Sequence, residues 1–578
     1  MADDDKLKNP YDEGDDGQEF ILGSGGKFTR LFIGLFLLAI VVPPVGRHLY
    51  EFSKPKEDRW LPVAEFFHHP NGKSKELLAG KKKGNPGITR DTPGIRDHLQ
   101  SFEKGVDSAP FTNPPQRFFQ SLFTKALREG NPKCFVGQYG WFFYRPSLDA
   151  IGGYGPLKPE PDSVTKDPDR PIWSPPLPEV VRFANDLKER GVPLLLVPVP
   201  VKAMIYPEHT GAKSDGRALT HHDRDTFYAQ LNEAGVETLD LLPTMMAAKA
   251  EGQVFLKQDT HWTTLGMEAA LAAVVEKVKG MGLAGSGDLQ VELRKANRSH
   301  MGDLVGMLEI DTDAAGFLPE SQEVAIVTDS ATGEVVAPDR RAPIALLADS
   351  FVNVYHDPMI GFGDPNWSGD GAESPIGAGF GQHLAARLGQ RIDLVAKNGG
   401  GATASRQEFA LRRQDDIVRS KKLVIWLLAE RDLFLSATPA GSDVLFRPVK
   451  WNDNDSEPAI TNTNGEPNGE SLVLNATLKA RSAVNDPKAT PYPDSLFTAE
   501  FTVDEIVSGE FSETEAHVVL WGFRNREYTP SAHIEEGKAY QIRLVPFSMK
   551  AELQSLNLAD DLLLFSDQYF AEEIEPFQ

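Results

Sequence analysis

The sequence contains a single cysteine, Cys134, so no disulfide can form within the chain. It also lacks an excess of basic residues, because 83 acidic residues outnumber 60 lysines and arginines and give a formal net charge of −23. A phosphate backbone needs a basic face, so this balance argues against a nucleic-acid partner. The 578 residues, 40% of them hydrophobic, suffice for two or three domains with buried cores.

The N-terminal part combines an acidic segment with an apolar one. Residues 1–26 are acidic and glycine-rich, and we expect a disordered tail there. The apolar stretch from Leu31 to Val45 is slightly shorter than the roughly 20 residues of a full membrane span. No clean small-x-small cleavage site follows it, so we expect an uncleaved transmembrane signal anchor at 27–50, with a buried helix as the alternative. Lysines and arginines are balanced on its two sides and do not orient it.

The middle of the chain alternates between short apolar runs and helical patterns. The apolar runs predict strands at 193–199, 236–241, 344–349, 392–396 and 423–428. The patterns between them predict helices at 179–190, 223–234, 263–279, 379–388 and 406–419. Strands that are apolar throughout and alternate with helices indicate an α/β fold, with a parallel sheet flanked by helices on both faces. Ligands of such sheets bind at the carboxyl ends of the strands, where Ser350 falls.

The last part of the chain has a different pattern. Short strand-like runs at 496–506, 518–523 and 538–546, without long helices, predict a small all-β domain, either a barrel or a sandwich. The expected organisation is a tail (1–26), an anchor (27–50), an extended connector (51–115), an α/β domain (116–450), a polar linker (451–470) and a β-rich domain (471–578).

Two separated motifs supply the groups needed for acyl transfer. Ser350 ends the apolar run Ile344-Ala345-Leu346-Leu347, where a turn at the sheet edge would expose its hydroxyl. A serine needs a neighbouring base, and Asp259-Thr260-His261 offers an imidazole with a carboxylate two residues away. In an extended segment both side chains would point to one side, so Asp259 could fix the imidazole tautomer while the other nitrogen faces Ser350.

Simpler explanations exist for each motif alone. Asp349-Ser350 after a strand is also an ordinary helix N-cap, and Asp259 and His261 could be unrelated surface residues or a metal pair. His221-His222-Asp223 is the other nearby cluster, and its spacing fits no standard metal site. We therefore expect no metal, and we expect Trp262 to be a packing residue more than a sugar-stacking one.

Several segments together resemble the alginate O-acetyltransferase family of exported, SGNH-hydrolase-like proteins that acetylate exopolysaccharides. They cover roughly residues 115–435 in the family's order, with the Asp-x-His box before the serine. The segments are Gly137-Gln138-Tyr139-Gly140-Trp141-Phe142-Phe143-Tyr144, Val197-Pro198-Val199-Pro200-Val201-Lys202, Tyr206-Pro207, Lys257-Gln258-Asp259-Thr260-His261-Trp262-Thr263, Gly302-Asp303-Leu304, Met307-Leu308, Asp349-Ser350-Phe351, Asn398-Gly399-Gly400-Gly401 and Ala429-Glu430-Arg431. Two departures are Ala348, where Gly is common, and the β-rich domain at 471–578, which does not match the family's carbohydrate-binding module. Carbohydrate binding stays a candidate role for that domain.

The resemblance implies a nucleophile, Ser350, a general base, His261, and an orienting acid, Asp259. It makes Asn398 a candidate oxyanion donor and Arg431 and Lys202 candidate contacts for an acidic sugar, with turn chemistry and structural ion pairs as the alternatives.

The resemblance also implies an activity and a setting. An acetyl-serine would pass its acetyl group to hydroxyls of an alginate-like exopolysaccharide, without a cofactor. A membrane-bound O-acyltransferase would supply acetyl groups, and the enzyme would be anchored in the inner membrane with its catalytic domain in the periplasm. A carbohydrate acetylesterase with the same triad and a non-catalytic scaffold subunit of a polysaccharide assembly remain open alternatives, as does the identity of the polymer.

Overall fold

The computed structural model describes residues 120, 121, 124 and most of 128–577. The gaps in the latter range are 158–175, 213–214, 284, 286, 309, 311–316, 364–374, 413–416, 436–447, 450, 452–471, 485–486, 488–491, 493, 510, 512, 548–549, 551–552, 554–555, 561 and 563–567. The expected tail, anchor and connector, and the linker after Trp451, lie outside the described residues. Among the helices that are described, none is both long enough and apolar enough to cross a membrane.

The first part of the described chain alternates strands and helices. Its strands are β1 Cys134–Val136, β2 Phe142–Tyr144, β3 Leu194–Val199, β4 Glu237–Thr238, β5 Val291–His300, β6 Glu320–Asp329, β7 Ile344–Ala348, β8 Asp393–Ala396 and β9 Leu423–Ala429. Its helices are α1 Arg145–Gly152, α2 Pro176–Glu189, α3 Lys202–Ile205, α4 Arg224–Glu233, α5 Leu242–Lys249, α6 Thr264–Gly280, α7 Asp303–Met307, α8 Ser350–Asn353, α9 Phe380–Leu388, α10 Ala404–Ala410 and α11 Arg431–Phe434.

A parallel sheet with the strand order β4-β3-β9-β7-β8 forms the centre of this domain. Alternate residues of its strands belong to two separate cores, because successive side chains of a strand point to opposite faces. Leu195, Leu346 and Ile425 pack on the face covered by α6 and α9. Leu196 and Trp426 pack on the other face, against α2, α4 and α10. Burial on both faces explains why these strands are apolar without alternation.

Three details differ from the sequence-based expectation. The strand predicted at 236–241 shortens to β4, which pairs with only two residues of β3 at the edge of the sheet. The helix predicted at 406–419 is α10, which begins at Ala404 and ends at Ala410. The antiparallel ribbon of β5 and β6 was not predicted. Most side chains of β5 are partly or fully exposed, so its sequence contains no apolar run that would predict a strand.

The C-terminal part is a closed β-barrel. Its strands are β10 Leu472–Arg481, β11 Ser495–Ser508, β12 Glu515–Arg524, β13 Glu527–Tyr528, β14 Ala539–Pro546, β15 Asn557–Ala559 and β16 Gln568–Pro576. The ring closes because β10 pairs with β11, β11 with β12, β12 with β16, β16 with β14 and β14 with β10. This settles the choice between barrel and sandwich in favour of the barrel. Leu474, Phe497, Phe501, Leu520 and Ile542 contribute to its core.

Candidate active site

Ser350 lies where the sheet ends and a short helix begins. Strand β7 is entirely buried, and Asp349 follows it as the N-cap of α8, accepting a hydrogen bond from the Phe351 N–H at 2.9 Å. The second oxygen of Asp349 accepts the N–H of Ala429 at the end of β9, at 3.1 Å. The N-cap explanation of the Asp-Ser pair is therefore true of Asp349. It fixes the turn that presents Ser350, so the cap and a catalytic serine are compatible.

Ser350, His261 and Asp259 form a continuous hydrogen-bonded relay. The Ser350 Oγ lies 2.9 Å from His261 Nε2, and His261 Nδ1 lies 2.6 Å from Asp259 Oδ1. All three residues are buried. A carboxylate only accepts, so His261 carries its proton on Nδ1 and presents the Nε2 lone pair to the serine hydroxyl. This arrangement can draw a proton from Ser350 when its oxygen attacks a carbonyl carbon.

The segment that carries Asp259 and His261 is bent, and the expectation of an extended segment is wrong. Phe255 and Trp262 are joined by an antiparallel bridge, and residues 257–261, here called the Asp-His loop, bend between them. Asp259 Oδ1 also accepts the backbone N–H of His261 at 2.9 Å. The two side chains therefore meet because the loop turns tightly around the carboxylate.

Two charged side chains, the buried Lys202 and the partly buried Glu320, hold the Asp-His loop from two sides. The ammonium of Lys202 donates to the carbonyls of Leu256, Lys257 and Asp259 at 2.8, 3.0 and 2.6 Å. On the other side Glu320, at the start of β6, accepts the N–H groups of Lys257 and Gln258 at 2.9 and 2.7 Å. Burial lowers the pKa of Lys202 to about 8, while Asp259, Asp303 and Glu320 act in the opposite direction. The group is therefore charged at neutral pH and can make all three bonds.

Asp303 is a second carboxylate beside the imidazole. Its Oδ1 accepts the Thr260 N–H at 2.8 Å, its Oδ2 lies 3.9 Å from His261 Nδ1, and its own N–H donates to Asp259 Oδ2 at 3.0 Å. Burial and the neighbouring Asp259 raise the pKa of Asp303. Burial alone would lower the pKa of His261, but the charges of Asp259, Asp303 and Asp349 outweigh it and raise that pKa. The site thus favours the imidazolium that forms when the base takes a proton.

The three candidate ligand contacts have different surroundings. Lys202 is buried, and its ammonium donates all three hydrogens to backbone carbonyls. The expectation that it contacts a sugar is therefore corrected. Asn398 donates to Asp357 at 2.8 Å and accepts from Asn353 at 2.9 Å, so its amide is tied into a buried network. Arg431 lies over the Tyr144 ring and 3.5 Å from Asp432, and its contact with a sugar stays a prediction.

Some residues that complete the site were not recognised in the sequence. Asp303 appeared there only within a matched segment, and Glu320 was not considered, because neither has a spacing that links it to Asp259 or His261. Gly302 gave the nearest signal. Its φ of 91° is disfavoured for other residues, and a side chain there would overlap the backbone of Gln258. Tyr492, whose hydroxyl donates to Ser350 Oγ at 3.1 Å, comes from the C-terminal part and carried no sequence signal.

In the two candidate metal clusters of the described residues, the ring nitrogens of His221 and His261 already have other partners. In one cluster, His221 Nδ1 accepts the Asp223 N–H at 3.0 Å and Nε2 lies 3.1 Å from the Gly153 carbonyl. The other cluster contains Asp259, His261 and Asp303, and His261 is used there by the relay. Trp262, the possible sugar platform, is fully buried and stacks on Phe380.

Comparisons with known proteins agree with the resemblance read from the sequence. Residues 135–430 match the family model described as "SGNH hydrolase-like domain, acetyltransferase AlgX". The probable alginate O-acetylase AlgJ of Pseudomonas syringae pv. tomato is 30% identical over 353 residues, which are 60% of this chain and 79% of that protein. Its counterpart in Pseudomonas aeruginosa is 28% identical over 401 residues, 65% of this chain and 89% of that one.

Among solved structures, the O-acetyltransferase domain of Pseudomonas putida AlgJ is similar at 23% identity and a TM-score of 0.37, covering 53% of this chain and 94% of that domain. The family model covers more than half of the chain, including β7, the Asp-His loop and Ser350. The chain therefore belongs to the family of SGNH hydrolase-like acetyltransferases of the AlgX type.

Proposed function

We propose that this protein is an O-acetyltransferase that carries an acetyl group on Ser350 and transfers it to hydroxyls of an alginate-like exopolysaccharide. The observation that carries the proposal is the relay from Asp259 through His261 to the Ser350 hydroxyl, with contacts of 2.6 and 2.9 Å. Family membership supports the acetyl group, and the names of the relatives support the polysaccharide.

The first half of the reaction loads the enzyme. Ser350 Oγ attacks the carbonyl carbon of the acetyl donor while its proton moves to His261 Nε2, and the charged Asp259 stabilises the resulting imidazolium. The tetrahedral intermediate then expels the leaving group, which takes the proton from His261. An acetyl ester on Ser350 and a neutral imidazole remain.

The second half repeats these steps with a sugar. A polysaccharide hydroxyl gives its proton to His261 and attacks the acetyl carbon, and Ser350 leaves with that proton. Water can replace the sugar, so transfer requires that the acceptor be positioned and that water be excluded. Only 3% of the surface of Ser350 is exposed, which supports exclusion of water from the acetyl ester.

The test compares the native protein with Ser350→Ala, using an acetyl nitrophenyl ester as donor and an alginate oligosaccharide as acceptor. We expect the native protein to acetylate the oligosaccharide, detected by mass spectrometry, and to show a burst of nitrophenol as Ser350 is loaded. Ser350→Ala should lose both signals. Ser420→Ala, a change at an exposed serine whose hydroxyl donates to the Ile417 carbonyl of its own turn, is the control.

The outcome separates the alternatives. Acetate as the sole product with every acceptor tried would identify an acetylesterase. Undiminished exopolysaccharide acetylation in cells carrying Ser350→Ala would identify a scaffold and would refute the proposal.

The proposal includes a location and a source of acetyl groups. The apolar stretch at 27–50 supports an inner-membrane anchor with the catalytic domain in the periplasm, where a membrane-bound O-acyltransferase would supply the acetyl group. A phosphatase reporter fused after residue 578 should be active only if that end is periplasmic. Carbonate should fail to extract the full-length protein from membranes. An inactive reporter would refute the periplasmic location but would leave the proposed acetyl transfer through Ser350 unaffected.

A further inference from the structure

The C-terminal barrel contributes a side chain to the catalytic serine. Tyr492 lies between β10 and β11, and its hydroxyl donates to Ser350 Oγ at 3.1 Å. The family match ends at residue 430, so nothing in that comparison assigns a role to this tyrosine.

A glycine allows the barrel to approach so closely. Gly399 follows β8 with a φ of 69°, and a side chain built on it would overlap both the Tyr492 ring and the Asn557 amide. Asn557 opens β15, and its side-chain and backbone oxygens lie 3.2 and 3.3 Å from the hydroxyl of Ser495 in β11. Two barrel residues thus contact the turn at the carboxyl end of β8, which fixes the tyrosine relative to Ser350.

The hydroxyl of Tyr492 is available as a hydrogen-bond donor. Burial and the nearby Asp349 raise its pKa, against the opposing effects of Ser350 and Arg431, so the phenol keeps its proton at neutral pH. The Ser350 hydroxyl gives its own hydrogen to His261 Nε2 and accepts one from Tyr492. Asn398, the donor expected from the sequence, already uses one amide hydrogen on Asp357.

We propose that Tyr492 is a catalytic residue that donates its hydrogen bond to the oxyanion formed when Ser350 attacks the acetyl carbonyl; the inference rests on the proposed acyl-transfer function. In that step the Oγ–carbon bond forms, the carbonyl π pair moves to its oxygen, and the Oγ proton moves to His261. When the intermediate collapses, the carbonyl re-forms, the bond to the leaving group breaks, and His261 gives that group its proton.

The geometry makes this donor selective for the transition state. In the resting enzyme Tyr492 bonds a neutral serine oxygen. During attack the charge develops on an oxygen bound to the same carbon as Oγ, close enough for the hydroxyl to redirect its hydrogen. A hydrogen bond to an anion is roughly twice as strong as one to a neutral oxygen. The gain therefore arises only as the charge forms, which is the condition for acceleration.

The test uses Tyr492→Phe in the full chain, which keeps the ring and removes only the hydroxyl. We expect kcat/KM for acylation by the acetyl nitrophenyl ester to fall about 100-fold, the lower end of the loss that removal of one oxyanion donor causes. The midpoint of thermal unfolding should stay within about 3 °C of the native value, since a surviving fold loses one hydrogen bond. Tyr528→Phe, at an exposed tyrosine of β13, is the matched control and should leave acylation unchanged.

A second readout distinguishes catalysis from structure. Methylboronic acid forms a tetrahedral anion on a serine oxygen, so its affinity for Tyr492→Phe should fall by a factor similar to that for acylation. Unchanged acylation, or unchanged boronate affinity, would overturn the inference. Faster acylation would also overturn it, because Tyr492 would then shield Ser350. If acylation depends on Tyr492 but only acetate is produced, the inference stands and the transferase proposal fails.

Discussion

At the scale of the residue, the proposed mechanism makes activity depend on pH through the balance of charges around His261. The imidazole must be neutral to accept the Ser350 proton. Burial lowers the pKa of His261, but Asp259, Asp303 and Asp349 raise it overall. We therefore expect the acylation rate to fall as pH decreases through a midpoint above ~6.5, the ordinary value for histidine. The pH dependence of the nitrophenol burst measures this midpoint.

Asp303→Asn tests the origin of that midpoint. The change removes one carboxylate near Nδ1 but keeps the backbone N–H that bonds Asp259. The midpoint should move down, because one charge that favours the imidazolium is lost. Glu268→Gln, which removes the ion-pair partner of His383, is the control and should leave the midpoint in place. A native midpoint below ~6.5 would contradict this account of the charges.

At the scale of the element, the Asp-His loop depends on one ammonium group. Lys202→Met keeps the apolar stem but leaves three carbonyls without their donor. Since each unsatisfied buried group costs about 1–3 kcal/mol, we expect the free energy of unfolding to fall by at least ~2 kcal/mol. The acylation rate should fall as well, because the loop places His261. Denaturant titration and the burst assay measure the two effects.

Lys249→Met is the matched control for that change. The Lys249 ammonium donates to the Ile205 carbonyl and to Glu208, but both side chains of the ion pair are partly exposed. Water can replace such bonds, so a loss of about 1 kcal/mol or less is expected. Equal losses in the two variants would show that the three hydrogen bonds of Lys202 do not hold the loop.

The sequence predicted those elements whose pattern follows from burial. Strand β7 and helix α6 appear nearly where periodicity places them, because a sheet covered on both faces requires apolar strands and amphipathic or apolar helices. Strand β5 was not predicted because most of its side chains are accessible to solvent. The bend of the Asp-His loop was not predicted either, because it depends on Lys202 and Glu320, which are distant in sequence. Long-range polar contacts of this kind produce no periodic hydrophobic pattern in the sequence.

At the scale of the whole molecule, the barrel and the sheet domain share one site. Ring closure between β11, β12 and β16 could not be derived from short strand-like runs, because pairing partners are far apart in the chain. The contact between Tyr492 and Ser350 was equally inaccessible, since it depends on how the barrel packs on the turn at Gly399. The motifs that contain Asp259, His261 and Ser350 were recognisable in the sequence. The contact of the barrel with them could be identified only from the three-dimensional structure.

Also at this scale, the contribution of one buried carboxyl, that of Asp432, to the stability of the molecule should decrease as the pH rises from about 4 to 7. Burial raises the pKa of Asp432 to about 7, although the nearby Arg431 acts against this shift. Below ~4 the group is protonated in both states and has no effect. Between ~4 and 7 the unfolded chain loses the proton and the native protein keeps it, so the stabilising contribution of Asp432 falls by up to about 1.4 kcal/mol per pH unit.

Asp432→Asn isolates this contribution, because an amide does not titrate. The difference in unfolding free energy between Asp432→Asn and the native protein should shift in favour of the variant as pH rises from about 4.5 to 7, and should level off above that. Urea titrations at several pH values measure it, with Asp225→Asn, at an exposed position in α4, as the control. A difference that stays constant across this range would mean that Asp432 is ionised in the native protein, which would require a hydrogen-bond donor or a closer cation at its buried oxygens.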